Sequence, residues 1–293
     1  MSADSSPSPE PEELVLYEVV EPHIVRITLN RPHRRNAILT PDMNVQMKQQ
    51  FERAEDDDDV KVIILAGAGD FWCAGEDITR TPVESFGLKK GERLPQSRRI
   101  RGVSRPKLDI LRCDKVVIAA VQGGAIGNGF RLALTCDLIV AAEGAQFSRV
   151  NSRIGFASYD GILPVLLLKL GINRGYELLL TGRRVSAEEL HDWGVVCSVV
   201  SAESLRDEAL RYARAVAAHS ADGLMIGRVA KDMFWDMLGL SAYEAFNHVA
   251  HPLFTNLVWR EDEANMLRER SRTGSSRDAL KRVYERWEEL GFE

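Results

Sequence analysis

Two short stretches of this chain hold the residue types from which an anion site can be built out of backbone alone. The first is VKVIILAGAGDFWCAGEDI, residues 60–78: an apolar strand, a Gly/Ala loop, then Glu76-Asp77-Ile78. The second is VVIAAVQGGAIGNGFRLALTCDLIVAA, residues 116–142. It reads as a strand (116–121), a turn holding Gly123, Gly124, Gly127 and Gly129, an apolar helix (130–136) and a second strand (138–142). Glycines let backbone approach a ligand closely, and a helix start presents unpaired N–H groups and a positive dipole end. A single turn of this kind is more often plain strand-to-helix chemistry. Two of them, each aiming an N–H at one oxygen, are what an oxyanion hole needs, with each donor contributing about 10²–10³ in rate. Together they point to stabilisation of a thioester enolate.

The elements that must position these turns are those of a soluble α/β protein. At 293 residues, 45% hydrophobic and 28% charged, the chain is long enough for a large core. Its net charge of −5 gives no general pull toward nucleic acid, and no run approaches the roughly 18 apolar residues of a membrane span. The four cysteines (Cys73, Cys113, Cys136, Cys197) show no paired spacing, so they read as free thiols of a reducing cytoplasm, with no metal site. Residues 1–12, MSADSSPSPEPE, read as a disordered tail and not as a signal peptide. Residues 14–19 and 24–29 are a strand pair, and Thr40-Pro41-Asp42 starts a helix carrying Met43, Met47, Phe51 and Ala54 at helical spacing. Ser186-Ala187-Glu188-Glu189 is a capping box. Residues 79–112, rich in Pro, Gly and Arg, interrupt the pattern as a long insertion of the kind that walls an active site. Beyond Ser204 the pattern is helical and unusually apolar, with Trp235, Met237, Tyr243, Phe246, Phe254, Leu257 and Trp259. No dinucleotide, phosphate-loop or nucleophile-elbow motif occurs: Gly127-Asn128-Gly129 lacks the third glycine of a dinucleotide fingerprint.

Five blocks in order, NRPHRRNAIL (30–39), GAGDFWCAGEDI (67–78), AAVQGGAIGNGFRLALTCDLIVAA (119–142), AQFSRVNSRIGF (145–156) and LLLTGRRVSAEELHDWGVV (178–196), resemble the crotonase superfamily of enoyl-CoA hydratases and isomerases. The resemblance implies a crotonase fold, with a repeated ββα spiral core over residues 13–203 and a helical trimerisation region over 204–293. It implies an acyl-CoA substrate, no cofactor beyond the CoA it carries, and a homotrimer or dimer of trimers. The family's two oxyanion donors fall on the N–H groups of Glu76 and Asn128. Ligand contacts fall on Arg34, Arg35, Ala37, Ala74, Glu76, Asp77, Ile78, Gly127 and Asn128, with the arginine-rich loop against the CoA nucleotide. Arginines in a loop are otherwise usually a solvated face, although guanidinium suits phosphate.

The family's hydratases use two glutamates as acid and base, and at those places this chain has Arg131 and Asn151. Guanidinium does not lose its proton at working pH and an amide is neither acid nor base, so ordinary two-glutamate hydration is not expected. What remains nearby is Ser152, Ser158, Tyr159, Asp160 and, from the first turn, Asp77, with Asp160 foremost and Tyr159 next. Asp160 is an acid/base or the N-cap of the helix that follows Gly161, and Arg131 pairs with Asp160 or binds a carboxylate of the acyl group. The expected chemistry is isomerisation, hydrolytic C–C cleavage or a specialised hydration. The alternative is a non-catalytic acyl-CoA-binding protein.

Overall fold

In the computed structural model, the described residues are 13–39, 42–79, 110–155, 162–246, 260–263 and 265–292. The N-terminal tail, the Thr40-Pro41 helix start, most of the 79–112 insertion, Tyr159, Asp160, Phe254, Leu257 and Trp259 lie outside them. Val15–Glu21 (β1) and Ile24–Leu29 (β2) form an antiparallel pair, and Asp42–Glu55 (α1) then buries Met43, Met47, Phe51 and Ala54 on one face. Val62–Gly67 (β3) and Val116–Val121 (β4) are continuous apolar runs because both faces of these strands are covered. The chain continues through Gly124–Ile126 (β5), Asn128–Thr135 (α2), Leu138–Ala142 (β6) and Gln146–Ser148 (β7). Leu163–Leu170 (α3), Ile172–Thr181 (α4), Arg184–Ser186 (β8), Ala187–Asp192 (α5) and Ser198–Val200 (β9) follow.

The larger sheet has six strands in the order β1-β2-β3-β4-β6-β9, parallel from β2 onward, and the smaller has the order β5-β7-β8. One core lies between the two sheets and takes in Trp72, Phe130 and Phe147; the last two meet edge-on with ring centroids 5.4 Å apart. A second core covers the outer face of the large sheet, where Leu205, Ala209 and Ala213 of Leu205–Ala217 (α6) pack on Ile64, Ile118 and Val140. β3 and β4 are adjacent and parallel, with Leu65 opposite Ala119, so the loops that follow them leave the same edge of the sheet. That pairing brings the two glycine turns together.

Ala221–Met237 (α7) is attached by charge as well as by Trp235. Asp137 accepts from the Val117 N–H at 2.8 Å and pairs with Arg228 at 2.5 Å and Lys231 at 2.9 Å, while Arg228 Nε donates to the Cys113 carbonyl at 2.8 Å. Met266–Thr273 (α8) and Ser276–Glu288 (α9) form a hairpin that packs on Ile78 and Ile154. Among the described residues no helix is long and apolar enough to cross a membrane. Asp137→Ala leaves two largely buried cations without their carboxylate and is expected to cost about 3–5 kcal/mol; a denaturant titration checks this, and a loss below about 1 kcal/mol contradicts it.

Candidate active site

The first turn is held by the side chains of Asn36, Arg31 and Asp77, of which only Asp77 stands out in the sequence, as an expected ligand contact. Asn36, fully buried and at φ +52°, accepts from the Arg31 N–H at 2.7 Å and donates to the carbonyls of Ala68 (2.8 Å) and Phe71 (2.7 Å). Asparagine tolerates this left-handed conformation better than most residues. Arg31 reaches inward, with Nη1 donating to the Ala37 carbonyl at 3.0 Å and pairing with Asp77 at 2.7 Å; the two side chains are 2% and 6% exposed. Of the three arginines in this loop, Arg31 is therefore internal, while Arg34 is half-buried and Arg35 is exposed over the Phe71 ring at 5.5 Å. Burial by itself would push the Asp77 carboxyl up, but hydrogen bonds from Thr79 and Arg31 outweigh it and hold it below the ordinary carboxylate value.

With Asn36, Arg31 and Asp77 in place, the loop threads between β5 and the segment at Ile38. Cys73 pairs with Ala125 and Glu76 with Ile38, so β5 is flanked by the first loop on one side and by β7 on the other. Gly75 has φ +86°, and a Cβ there would lie 2.5 Å from the Ile126 carbonyl oxygen and 3.2 Å from the Asn128 nitrogen. A Cβ at Gly129 would meet the Cys73 carbonyl oxygen at 2.3 Å. Both glycines are required by this backbone-to-backbone approach.

The peptide units then fix two N–H directions. The Gly75 carbonyl accepts from the Ile38 N–H at 2.7 Å, so the Glu76 N–H, on the opposite edge of the same trans peptide, points away from Ile38. The Gly127 carbonyl accepts from the Arg131 N–H at 3.1 Å and from Arg149 Nη1, which turns the Asn128 N–H the other way, as the first N–H of α2. Arg149 is only 2% exposed. Across the gap, Asn128 Nδ2 donates to Glu76 Oε1 at 2.7 Å. Cys73 sits directly behind, and burial pushes its thiol up to about 12, so it is a neutral packing group and not a nucleophile.

Two further expected ligand residues make backbone contacts of their own. Ala74 donates its N–H to the Arg35 carbonyl at 3.0 Å, and the Ile78 carbonyl accepts from Arg270 of α8 at 3.1 Å. Arg131 lies on α2, and Asn151 follows β7; both are half-buried. A cavity of about 200 Å³ adjoins Ile126 and Val150 and is also lined by Arg35, Arg153 and Arg184. Arg153 is wedged under α9, donating to the Thr181 carbonyl at 2.9 Å while its own carbonyl accepts from Trp287 Nε1 at 3.3 Å.

Residues 20–255 match the sequence profile of the enoyl-CoA hydratase/isomerase family. The chain belongs to this family. It is 35% identical over 224 residues to mevalonyl-coenzyme A hydratase SIDH of Beauveria bassiana, covering 74% of this chain and 78% of the relative. It is 34% identical over 205 residues to 1,2-epoxyphenylacetyl-CoA isomerase of Escherichia coli, covering 70% and 77% respectively. Among solved structures, a probable enoyl-CoA hydratase from Mycobacterium smegmatis superposes with a TM-score of 0.70 at 28% identity, over 89% of this chain and 98% of that one. The fold is thus the crotonase fold of the family, whose relatives include both hydratases and isomerases. The α8–α9 hairpin lies beyond the residues that match the profile.

The Arg31–Asp77 pair gives a pH-dependent prediction. Because the Asp77 pKa is lower in the folded state than in the unfolded one, its contribution to stability is complete above about pH 4 and is lost as pH falls through the folded value. Asp77→Asn is expected to cost about 3–5 kcal/mol at neutral pH, because it leaves Arg31 buried without its carboxylate. The difference from wild type should shrink progressively below pH 4 in denaturant titrations; a difference independent of pH contradicts the assignment.

Proposed function

We propose that the protein is an enzyme that binds an acyl-CoA and stabilises the enolate of its thioester between the N–H groups of Glu76 and Asn128. The observation that carries this reading is the convergence of the two turns, with a Gly75 Cβ position only 3.2 Å from the Asn128 nitrogen. When a base removes a proton from the α-carbon, negative charge develops on the thioester oxygen. Two preoriented donors stabilise that charge without reorganising, each contributing about 10²–10³ in rate. Arg34 and Arg35 lie against the CoA phosphates, and the arginine-lined cavity beside Ile126 supports placing an anionic nucleotide on this side.

The relatives' names support thioester chemistry and include both hydration and isomerisation. The family's glutamate pair falls on Arg131 and Asn151, neither of which transfers a proton at neutral pH. The reaction is accordingly isomerisation, hydrolytic C–C cleavage or a specialised hydration, with Asp160 or Tyr159 as the candidate acid/base. α7 exposes Ile226, Val229, Met233 and Met237 at spacings that share one face, an apolar surface suited to contacts between copies in a homotrimer or a dimer of trimers. We place the protein in the cytoplasm on its cysteine usage.

A thioester panel tests the reading. Calorimetry with butyryl-CoA is expected to show binding, and turnover is expected on at least one member of a panel that includes cyclic β-keto thioesters. Crotonyl-CoA hydration is expected to fall far below the typical enzyme kcat of about 10 s⁻¹. No binding of any CoA thioester would overturn the function, hydration near 10 s⁻¹ would overturn the reading of Arg131 and Asn151, and binding without any turnover would make this a non-catalytic acyl-CoA-binding protein.

A further inference from the structure

Position 131 is where this site departs most from an acid/base site. Three residues beyond Asn128 on α2, with a rise of about 1.5 Å per residue, Arg131 stands about 4.5 Å further along the axis and back on the same helix face. Asn128 and Arg131 are both half-buried, whereas Phe130, Ala133 and Leu134 face the core. From the other side, β7 runs parallel to β5 with Ser148 opposite Ile126, so the chain leaves both strands in the same direction. Val150 Cγ2 lies 3.7 Å from a Cβ position at Gly127, which sets Val150, the residue before Asn151, against the start of α2.

The polarity of this corner is unusual for proton transfer. Among the described residues the Arg131 guanidinium makes no ion pair or hydrogen bond, the Asn151 amide makes none, and the Ser152 hydroxyl is buried without a partner. The carboxylate at the rim, Glu76, accepts from Asn128 at 2.7 Å. A cation and a neutral amide, with a buried hydroxyl next in sequence, therefore stand where two carboxylates would receive and deliver protons. A partly desolvated guanidinium is costly unless an anion meets it, and its planar fork matches a carboxylate in bidentate geometry.

We propose that Arg131 receives a carboxylate carried by the acyl group, which makes the ligand the monothioester of a dicarboxylic acid. This rests on the thioester reading above. With the thioester oxygen at the Asn128 N–H and the guanidinium carried one turn further along α2, a short diacid fits between them, and the five-carbon diacid serves as the probe. Arg131 is on this account a specificity-determining residue that contacts substrate and transfers no proton.

Glutaryl-CoA and pentanoyl-CoA have acyl chains of equal length and differ in the terminal carboxylate, and neither has a double bond to hydrate. Wild-type protein is expected to bind glutaryl-CoA about ten- to a hundredfold more tightly by calorimetry, the range of a charge-assisted contact. Raised salt should shrink that preference. Arg131→Gln should reduce it to within about twofold while leaving pentanoyl-CoA affinity unchanged, and Arg131→Lys should restore part of it. Equal affinity in wild type, or a preference that survives Arg131→Gln, overturns the inference and leaves the thioester reading standing. Failure of both ligands to bind wild type overturns both. If Arg131→Gln does not fold, the wild-type comparison and the Arg131→Lys variant decide the question.

Discussion

A trans peptide is a rigid plate, so pinning its carbonyl fixes the direction of the N–H on its far edge. The candidate site depends on two such plates. One is Gly75–Glu76, whose carbonyl is held by the Ile38 N–H, and the other is Gly127–Asn128, whose carbonyl is held by the α2 ladder and by Arg149. Much of the surrounding structure can be read as support for these two plates. Parallel pairing of β3 with β4 brings both turns to one sheet edge, and Gln122 ties them by donating to the Gly67 carbonyl at 2.6 Å. Asn36 and the Arg31–Asp77 pair hold the first turn from below, and the α8–α9 hairpin holds Ile78 and Arg153 from outside.

Arg149 does more than orient. A guanidinium bonded to the Gly127 carbonyl withdraws electron density through the peptide and strengthens the Asn128 N–H as a donor, in the way that hydrogen bonds in a chain reinforce one another. Its buried charge also adds positive potential beside the Asn128 N–H. No opposing charge comes from Cys73, which burial keeps neutral. The close packing of Trp72, Phe130 and Phe147 beneath the turns restrains the relaxation that would otherwise blunt this preorganisation.

Much of this was legible in the sequence, for identifiable reasons. The strands announce themselves as Val/Ile runs, the close approach of the turns as glycines, and the capping box at Ser186 and Glu189 forms as its spacing requires. β5 was not legible as a strand: three residues beginning with glycine carry no periodicity, and its pairing comes from β7 and Cys73. β9 takes only Ser198–Val200 of the apolar run at 195–200, because the Val195 and Val196 N–H groups close the end of α5 on the Leu190 carbonyl. The supports of the site were hidden most completely. Arg31 and Asp77 are 46 residues apart, and Arg149 reaches Gly127 across 22. In a linear reading such arginines look like solvated charge, and only the folded chain shows what they hold.

The account turns on whether both plates aim their N–H groups at one thioester oxygen. Isotope-edited infrared spectroscopy of butyryl-CoA labelled with ¹³C at the thioester carbonyl measures this directly. The account predicts that the carbonyl band of the bound thioester shifts to lower frequency than in water, and that Arg149→Met, still binding the ligand, loses part of the shift. A bound band at or above its position in water would contradict it.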